Sequence, residues 1–385
     1  MAVDGDIVAS GYFSFSSSLK LVRHLTQQRG DFIGAINRYH EQLEISLVQA
    51  NDWFDFGHLN AYFNSRAAFT TQRSFNALEI NRSTARKSSH KVDKMEGEAN
   101  WFEALPNDIQ IYSPKLLSRF NDGDRAGYSL EYLYNLPLSD LFVFGHLAKA
   151  SWRRIFQSCH RFLARCKAYS PESSELHPTD IDSLYLPKTL DRLEQFAIHS
   201  GVDIDKPIHL NGTLYPSPRD IAEQSSERIP AATLQNVAIV HGDFCFSNIL
   251  YDFRTRRIKV IDPRGIDAQG RPTLYGDSRY DYAKLYHSVH GLYDLIIAGR
   301  LKAKQTDSGL ELRDYAATYH LGINQAFNEV FFSDQPQLQD CVQAIGVQLF
   351  LSMLPLHNDQ PERQMTMLAN AYRLYAELQG EQPCS

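Results

Sequence analysis

The sequence predicts an α+β protein in two unequal lobes, a small β-rich lobe followed by a large helical one. Three observations carry this. Strand-like segments gather before residue 135, at 83–88 and 127–133. Over 138–168, and again from about 280 to 379, apolar residues recur at threes and fours, the spacing of a buried helix face. In the later half, strands shrink to one cluster at 237–240, 249–251 and 258–261. The order is not the strand–helix alternation of a doubly wound sheet.

Along the chain, residues 7–15 alternate apolar and small and end in Ser16, Ser17 and Ser18, a strand and a turn. Residues 19–43 read as a helix through Leu21, Leu25, Phe32, Ile36 and Tyr39. The stretch 51–66 is rich in aromatics. Residues 81–91 carry Arg82, Arg86, Lys87 and Lys91 and no acid, which reads first as a solvated hairpin. A helix over 93–105 stops at Pro106, and the strand at 127–133 leads to a turn at Pro137. Residues 171–180 form a Ser/Pro/acid loop. The last helical region breaks near 306–309, at Pro336 and at Pro361.

Composition narrows the function classes. With 43 % hydrophobic and 22 % charged residues, the 385-residue chain is not a disordered one, and it is long enough for two or three units. Its net charge of −6 leaves no basic excess for general nucleic-acid binding. No apolar run approaches the roughly 18 residues that span a bilayer; 292–299 and 347–356 read as core helices. Asp4 and Asp6 stand where a signal peptide would be basic, so a cytoplasmic protein is expected. Five scattered cysteines fit a reducing compartment. Cys159 and Cys166 lie two turns apart on one helix with no evident fourth ligand, and they read as buried thiols, not zinc ligands.

Chemistry concentrates in His241-Gly242-Asp243-Phe244-Cys245-Phe246-Ser247-Asn248. One apolar strand enters this loop and another leaves it. A further strand, 258–261, delivers Asp262. Phosphoryl transfer needs a carboxylate facing the attacking hydroxyl. It also needs an amide oxygen and a second carboxylate to hold magnesium, because a hard cation prefers oxygen ligands. Asp243 and Asn248 have the spacing of a kinase catalytic loop, with Gly242 in place of its arginine. A hairpin whose His and Asp cap their own backbone explains neither Asn248 nor Asp262.

On these residues, the segment from about 85 to 375 resembles the aminoglycoside phosphotransferase and choline kinase family, whose fold is similar to that of protein kinases. The resemblance implies a protein-kinase-like bilobal fold: a short α/β extension over 1–75, an N-lobe over 76–135 and a C-lobe over 136–385. It implies ATP and Mg²⁺ as cofactors. Asp243 would be the catalytic base or would position the hydroxyl, and Asn248 and Asp262 would bind the metal. His241 would serve the same loop, bracing it through hydrogen bonds. A strand lysine with a helix glutamate would hold the nucleotide; Lys87 with Glu98 fits, with Lys91 and Glu96 as the alternative. No G-x-G-x-x-G precedes Lys87, so residues such as Ser74, Asn76 and Ser83 must serve there. The backbone of Glu131 to Leu133 would meet an adenine edge. Arg264 and Arg279 are candidates for an anionic substrate, or for pairing with Asp277 and Asp267. Asp281 would prop the catalytic loop, as a substrate candidate or as a helix N-cap. Tyr286, His287, His290 and Tyr293 line an acceptor pocket or the core.

Residues 7–15 and 52–60, with Gly11-Tyr12-Phe13-Ser14-Phe15 and Trp53-Phe54-Asp55-Phe56-Gly57, resemble the tail of sugar nucleotidyltransferases, without their nucleotide-binding loop. This start tilts the acceptor towards a sugar of surface polysaccharide assembly. The expected function is ATP-Mg²⁺-dependent phosphorylation of a hydroxyl on a small molecule, a sugar or amino alcohol. Its rivals are a pseudokinase-like scaffold and, less fitting because no A-P-E follows Asp262, a protein-serine kinase.

Overall fold

A computed structural model describes residues 13–46, 77–171, 181, 183–307, 309–312, 318–333 and 335–381. Its chain divides into two compact units, Met1–Phe69 and Thr70–Ser385. In the first, α1 (Ser18–Gln27) and α2 (Phe32–Gln42) replace the single helix expected over 19–43. The break falls at Arg29 and Gly30, both of positive φ. Tyr39 is the anchor: its hydroxyl accepts from the Ser17 amide at 3.0 Å, and its ring meets Phe15 edge-on. Most of the strand expected over 7–15, all of 51–66 with its Trp-x-Asp-x-Gly, nearly all of the loop 171–180, and Ser74, Asn76 and Cys384 lie outside the described residues.

The second unit begins with a four-stranded antiparallel sheet of order β1-β2-β4-β3, built from β1 (Ala77–Ile80), β2 (Thr84–Ser89), β3 (Leu116–Asn121) and β4 (Ala126–Glu131). Helix α3 (Val92–Ala104) and the single turn α4 (Asn107–Gln110) lie between β2 and β3 in the chain. The basic segment 81–91 is thus a hairpin arm, solvated at Arg82, Arg86 and Lys91 but not at Lys87. Lys87, Ser88 and Ser89 are buried, with Lys87 opposite Tyr128 in β4.

The rest is mostly helical. In chain order it comprises β5 (Leu136–Pro137), α5 (Leu138–Val143), α6 (Lys149–Lys167), α7 (Leu186–Ser200), β6 (Ile208–Leu210), β7 (Thr213–Tyr215) and α8 (Pro218–Ser226). Then follow β8 (Val237–Ile239), β9 (Ile249–Asp252), β10 (Arg257–Val260), β11 (Tyr275–Asp277), α9 (Ser278–Val289) and α10 (Tyr293–Ile297). The chain continues through β12 (Ala303–Thr306), β13 (Gly309–Leu312), α11 (Thr318–Phe331), α12 (Pro336–Met353) and α13 (Pro361–Leu378). Proline at the first turn starts α7, α8, α12 and α13, where its missing N–H costs nothing. Helix α12 is buried from Cys341 to Met353 except Gln343, and forms the centre of the large lobe.

Strands are less confined than the sequence pattern suggests. A second four-stranded sheet, β12-β13-β6-β7, sits in the helical lobe, with β13 and β6 parallel. Its strands are three or four residues long, too short for a period of two to stand out. One local signal was present. Asn211 and Gly212 both take positive φ between β6 and β7, the two-residue hairpin turn that Asn-Gly favours. The helix expected over 138–168 is likewise two, α5 and α6. Among the described residues no helix is long and apolar enough to cross a membrane.

Candidate active site

The strands of the large lobe present the loop 241–248 between β8 and β9, and β10 runs antiparallel to β9. The ladder continues one step further, as the Ile261 amide donates to the Asn248 carbonyl at 3.0 Å. That bond brings Asn248 and Asp262 to the same end of the hairpin. Asn248 Nδ2 donates to Asp243 Oδ2 at 3.0 Å and to the Asp243 carbonyl at 2.9 Å. Its Oδ1 is thereby turned away from Asp243 and accepts from the Ser247 hydroxyl. Asp262 has φ of +56°, a left-handed conformation rare for a non-glycine residue, and its side chain stays half exposed.

His241 is fully buried. Its Nε2–H donates to the Ile261 carbonyl at 2.9 Å, so Nδ1 is the acceptor that faces the Asp243 amide at 3.3 Å. Burial lowers its pKa to about 4, which keeps the ring neutral. It braces the loop and makes no approach to the open face. Asp281 completes the brace, accepting from the His241 amide at 2.7 Å and the Gly242 amide at 2.8 Å. Both its oxygens are used and it is 1 % exposed, so it is neither a substrate contact nor the N-cap of α9. The cap is Asp277, whose Oδ1 accepts from the Arg279 amide.

Arg279 is also corrected. It is buried, its Nε and Nη2 grip Asp277 at 2.6–3.0 Å, and its Nη1 donates to the Pro230 carbonyl. It is a structural ion pair, not a substrate arginine. Arg264 differs. Its guanidinium lies over the Tyr280 ring, 4.6 Å from the centroid, and donates to the Tyr280 hydroxyl at 2.9 Å.

In the small lobe Lys87 Nζ lies 2.7 Å from Glu98 Oε2 and 3.2 Å from Asp262 Oδ1. Tyr128 donates its hydroxyl to the same Glu98 oxygen at 2.6 Å. Burial opposes the charge of Lys87, but the carboxylates of Asp262 and Glu98 outweigh it and raise its pKa. Burial raises Glu98 as well, against the pull of Lys87. The lysine decides the state of the pair, because it faces two carboxylates and holds its proton. Of the two pairings open in the sequence, the structure joins Lys87 to Glu98. Glu131 ends β4 with its amide donated to the Lys115 carbonyl, so that N–H is not free for a nucleobase; Leu133 lies beyond the strand.

Sequence reasoning missed several residues. Lys284, two turns into α9, places Nζ 2.8 Å from Asp243 Oδ1. Shielding by protein works against ionisation of Asp243, but Lys284 overrides it and holds the carboxyl well below the usual range. Trp101 donates its indole N–H to the Val240 carbonyl at 2.8 Å and packs edge-on against His241, tying α3 to the loop. Gly97 and Gly265 form a second tie. A Cβ on Gly97 would lie 2.6 Å from the Gly265 carbonyl oxygen and still nearer Ile266, so only glycine lets the segment after Asp262 reach the helix beside Glu98. The sequence signal was slight: Lys284 follows Tyr280 by four, one face of a helix.

Tyr286 and His287 pack in the core, and the half-buried His290 stacks on Tyr286. A surface depression of about 500 Å³, lined by Arg153, Gln157, His160, Arg161, Glu329 and Val330, shares no residue with this constellation. Cys159, Cys166, Cys245 and Cys341 are buried free thiols.

Burial sets up a pH signature with two opposing parts. His241 and His290 are lowered to about 4 from an ordinary value near 6.5, so each removes stability as pH falls through that window. Asp281 and Asp294, raised by burial to about 7, add stability as pH falls from 7 towards 4. The unfolding free energy should therefore depend little on these groups overall, while the individual histidines betray the effect. Nitrogen-15 spectra should keep His241 and His290 neutral at pH 5, His241 as the Nε2–H tautomer. Imidazolium shifts for either at pH 6 would contradict the burial argument.

The model of the phosphotransferase enzyme family (APH) matches residues 82–320. The chain belongs to that family. It is a small-molecule phosphotransferase with the kinase-like bilobal fold just described, the β1–β4 sheet and α3 over a helical lobe. No curated protein matches the phosphotransferase in sequence. Among solved structures, a putative aminoglycoside phosphotransferase from Ralstonia eutropha is similar at 16 % identity over 84 % of this chain and 97 % of its own, with a TM-score of 0.42. A putative fructosamine-3-kinase from Haemophilus somnus is similar at 12 % over 79 % and 87 %, with a TM-score of 0.46. A thermostable mutant of an aminoglycoside phosphotransferase, in ternary complex with AMP-PNP and hygromycin B, is similar at 12 % over 80 % and 92 %, with a TM-score of 0.45.

Proposed function

We propose that this phosphotransferase moves the γ-phosphoryl group of ATP to a hydroxyl of a small molecule, a sugar or amino alcohol, with Asp243, Asn248, Asp262, Lys87 and Glu98 as its working residues. The observation that carries the reading is their convergence: Lys87 bridges Glu98 and Asp262, while Asn248, at the same end of the hairpin as Asp262, bonds Asp243. Asp243, ionised and 43 % exposed, accepts the hydrogen bond of the attacking hydroxyl and orients its oxygen. The new bond forms between that oxygen and the γ-phosphorus. The bond to the β-γ bridging oxygen breaks, ADP leaves with the electron pair, and the hydroxyl proton passes out through Asp243.

The donor set fits magnesium. Among the described residues no three His, Cys, Asp or Glu cluster as a self-sufficient metal cage. Asn248 Oδ1 and Asp262 supply two oxygen ligands, and phosphate oxygens would complete the shell of an ion that rarely takes an all-protein cage. When bound, the ion neutralises charge on the phosphates. Lys87 would take the α/β-phosphates, and the backbone near Leu133 the adenine edge. In this reading residues 1–75 are an extension and 76–135 and 136–385 the two lobes. The likeness of that extension to a sugar nucleotidyltransferase tail supports a sugar acceptor of surface polysaccharide assembly, and a cytoplasmic site supplies the ATP.

A nucleotide-binding scaffold without turnover is the second reading. It is favoured by the β1–β2 turn, Asn81-Arg82-Ser83, which contains no glycine and is closed by Asn81 Oδ1 accepting from the Ser83 and Thr84 amides. Thermal shift with ATP and Mg²⁺, followed by an ADP-release assay over sugars and amino alcohols, separates the two. Stabilisation by MgATP with acceptor-dependent ADP release is the expected result; stabilisation with no release across the panel would favour the scaffold.

A further inference from the structure

The surroundings of Asp243 are unusually positive for an acidic chain. On α9, Tyr280 and Lys284 are one turn apart on one face. Lys284 holds Asp243, and Arg264 reaches from beside Gly242 to the Tyr280 hydroxyl. From α7, Lys188 and Arg192, also one turn apart, add two more cations. Lys188 lies close enough to Tyr280, Arg264, Arg192 and Lys284 for their charges to act on it. Burial alone would raise the Tyr280 hydroxyl, yet Arg264, Lys188 and Lys284 bring it down to about 8.

The acids nearby do not answer this charge. Asp281 has both oxygens on the loop amides, Asp277 is held by Tyr185 and Arg279, and Asp267 by Arg271. Asp294 is buried. Among the described residues no carboxylate forms an ion pair with Lys188, Arg192 or Arg264. Like charges at i and i+4 on one helix repel unless an anion lies between them. The same wall includes a cleft lined by Leu184, Gly242, Arg264, Gly265 and Tyr280.

We infer that the acceptor alcohol carries an anionic group, a phosphate monoester or a carboxylate, seated against Lys188, Arg192 and Arg264 beside Tyr280 while its hydroxyl faces Asp243. The inference rests on the phosphotransfer reading for the role of the hydroxyl, but the anion site is measurable without turnover.

The test uses the full chain and the double variant Lys188→Ala/Arg192→Ala. With the nucleotide site filled by MgAMP-PNP, inorganic phosphate is titrated by calorimetry. Phosphate should bind the parent and weaken at least tenfold in the variant, with MgAMP-PNP affinity unchanged. The variant should melt no lower than the parent, since it loses a repulsive pair. Equal phosphate affinity in the two proteins overturns the site, and loss of MgAMP-PNP affinity reassigns these cations to the nucleotide. A turnover arm compares matched acceptors: hexoses, their phosphates and the corresponding uronates. The anionic members should exceed the neutral ones in kcat/KM at least tenfold, and the better of the two identifies the group. Preference for neutral or amino sugars overturns the proposal. Turnover of none, with phosphate binding retained, removes the kinase reading and leaves the anion site standing.

Discussion

Asp243→Asn should abolish phosphoryl transfer, lowering kcat by about 10³-fold, within the range that a positioned acid–base group supplies. The substitution is nearly isosteric. The new carboxamide keeps one acceptor oxygen, enough for either Lys284 or Asn248 but not both, whereas Asp243 now serves the two with separate oxygens. The backbone of the loop does not depend on that side chain, because its amides are held by Asp281 and its carbonyls by Asn248, Cys245 and Arg264. The fold should survive with a small drop in Tm. Nucleotide affinity should hold or tighten, since a negative charge next to the phosphates is gone while Lys284 stays. Steady-state ADP release and MgAMP-PNP calorimetry on the same preparation check both halves. Turnover within tenfold of the parent would remove Asp243 from the chemistry.

Gly97→Ala is the second large effect, and its sign is the informative part. Inside a helix, alanine is favoured over glycine by about 1 kcal/mol. On propensity alone the variant would be stabilised. The structure predicts the opposite. The new methyl meets the Gly265 carbonyl at 2.6 Å and Ile266 nearer still, and a backbone oxygen cannot rotate away as a side chain would. Overpacking of this kind costs about 1–3 kcal/mol. Either α3 tilts, moving Glu98 away from Lys87, or the segment after Asp262 backs off. In both cases urea unfolding should show a less stable protein and KM for ATP should rise several-fold. A variant more stable than the parent would show that the contact is slack.

The loop 241–248 stood out because it sets polar residue types at fixed spacing between strands that are apolar enough to recognise. Lys87 was harder. Its partner lies eleven positions on, in the next element, so the basic run by itself reads as a solvated arm; the family resemblance alone points to Lys87 with Glu98, and Tyr128 and Asp262 complete the enclosure. The roles of Asp277, Arg279 and Asp281 stayed open for a different reason. Three charged residues within five positions can cap a helix, pair together or reach a neighbouring loop, and only packing decides which carboxylate meets which amide. The β12-β13-β6-β7 sheet was lost to brevity, except for Asn211-Gly212.

The Gly97–Gly265 contact has a consequence for how this sequence can change. Most crowded pairs in a protein can be relieved from either side, by trimming the neighbour when one residue grows. Here Gly265 has no side chain left to trim, and apart from the Ile266 methyl the crowding atoms belong to the main chain of each partner. A larger residue at either glycine has no compensating replacement at the other. Second-site revertants of a Gly97 variant should therefore never fall at position 265; they should appear at Ile266, the one side chain in the contact, or elsewhere in the fold as general stabilisers.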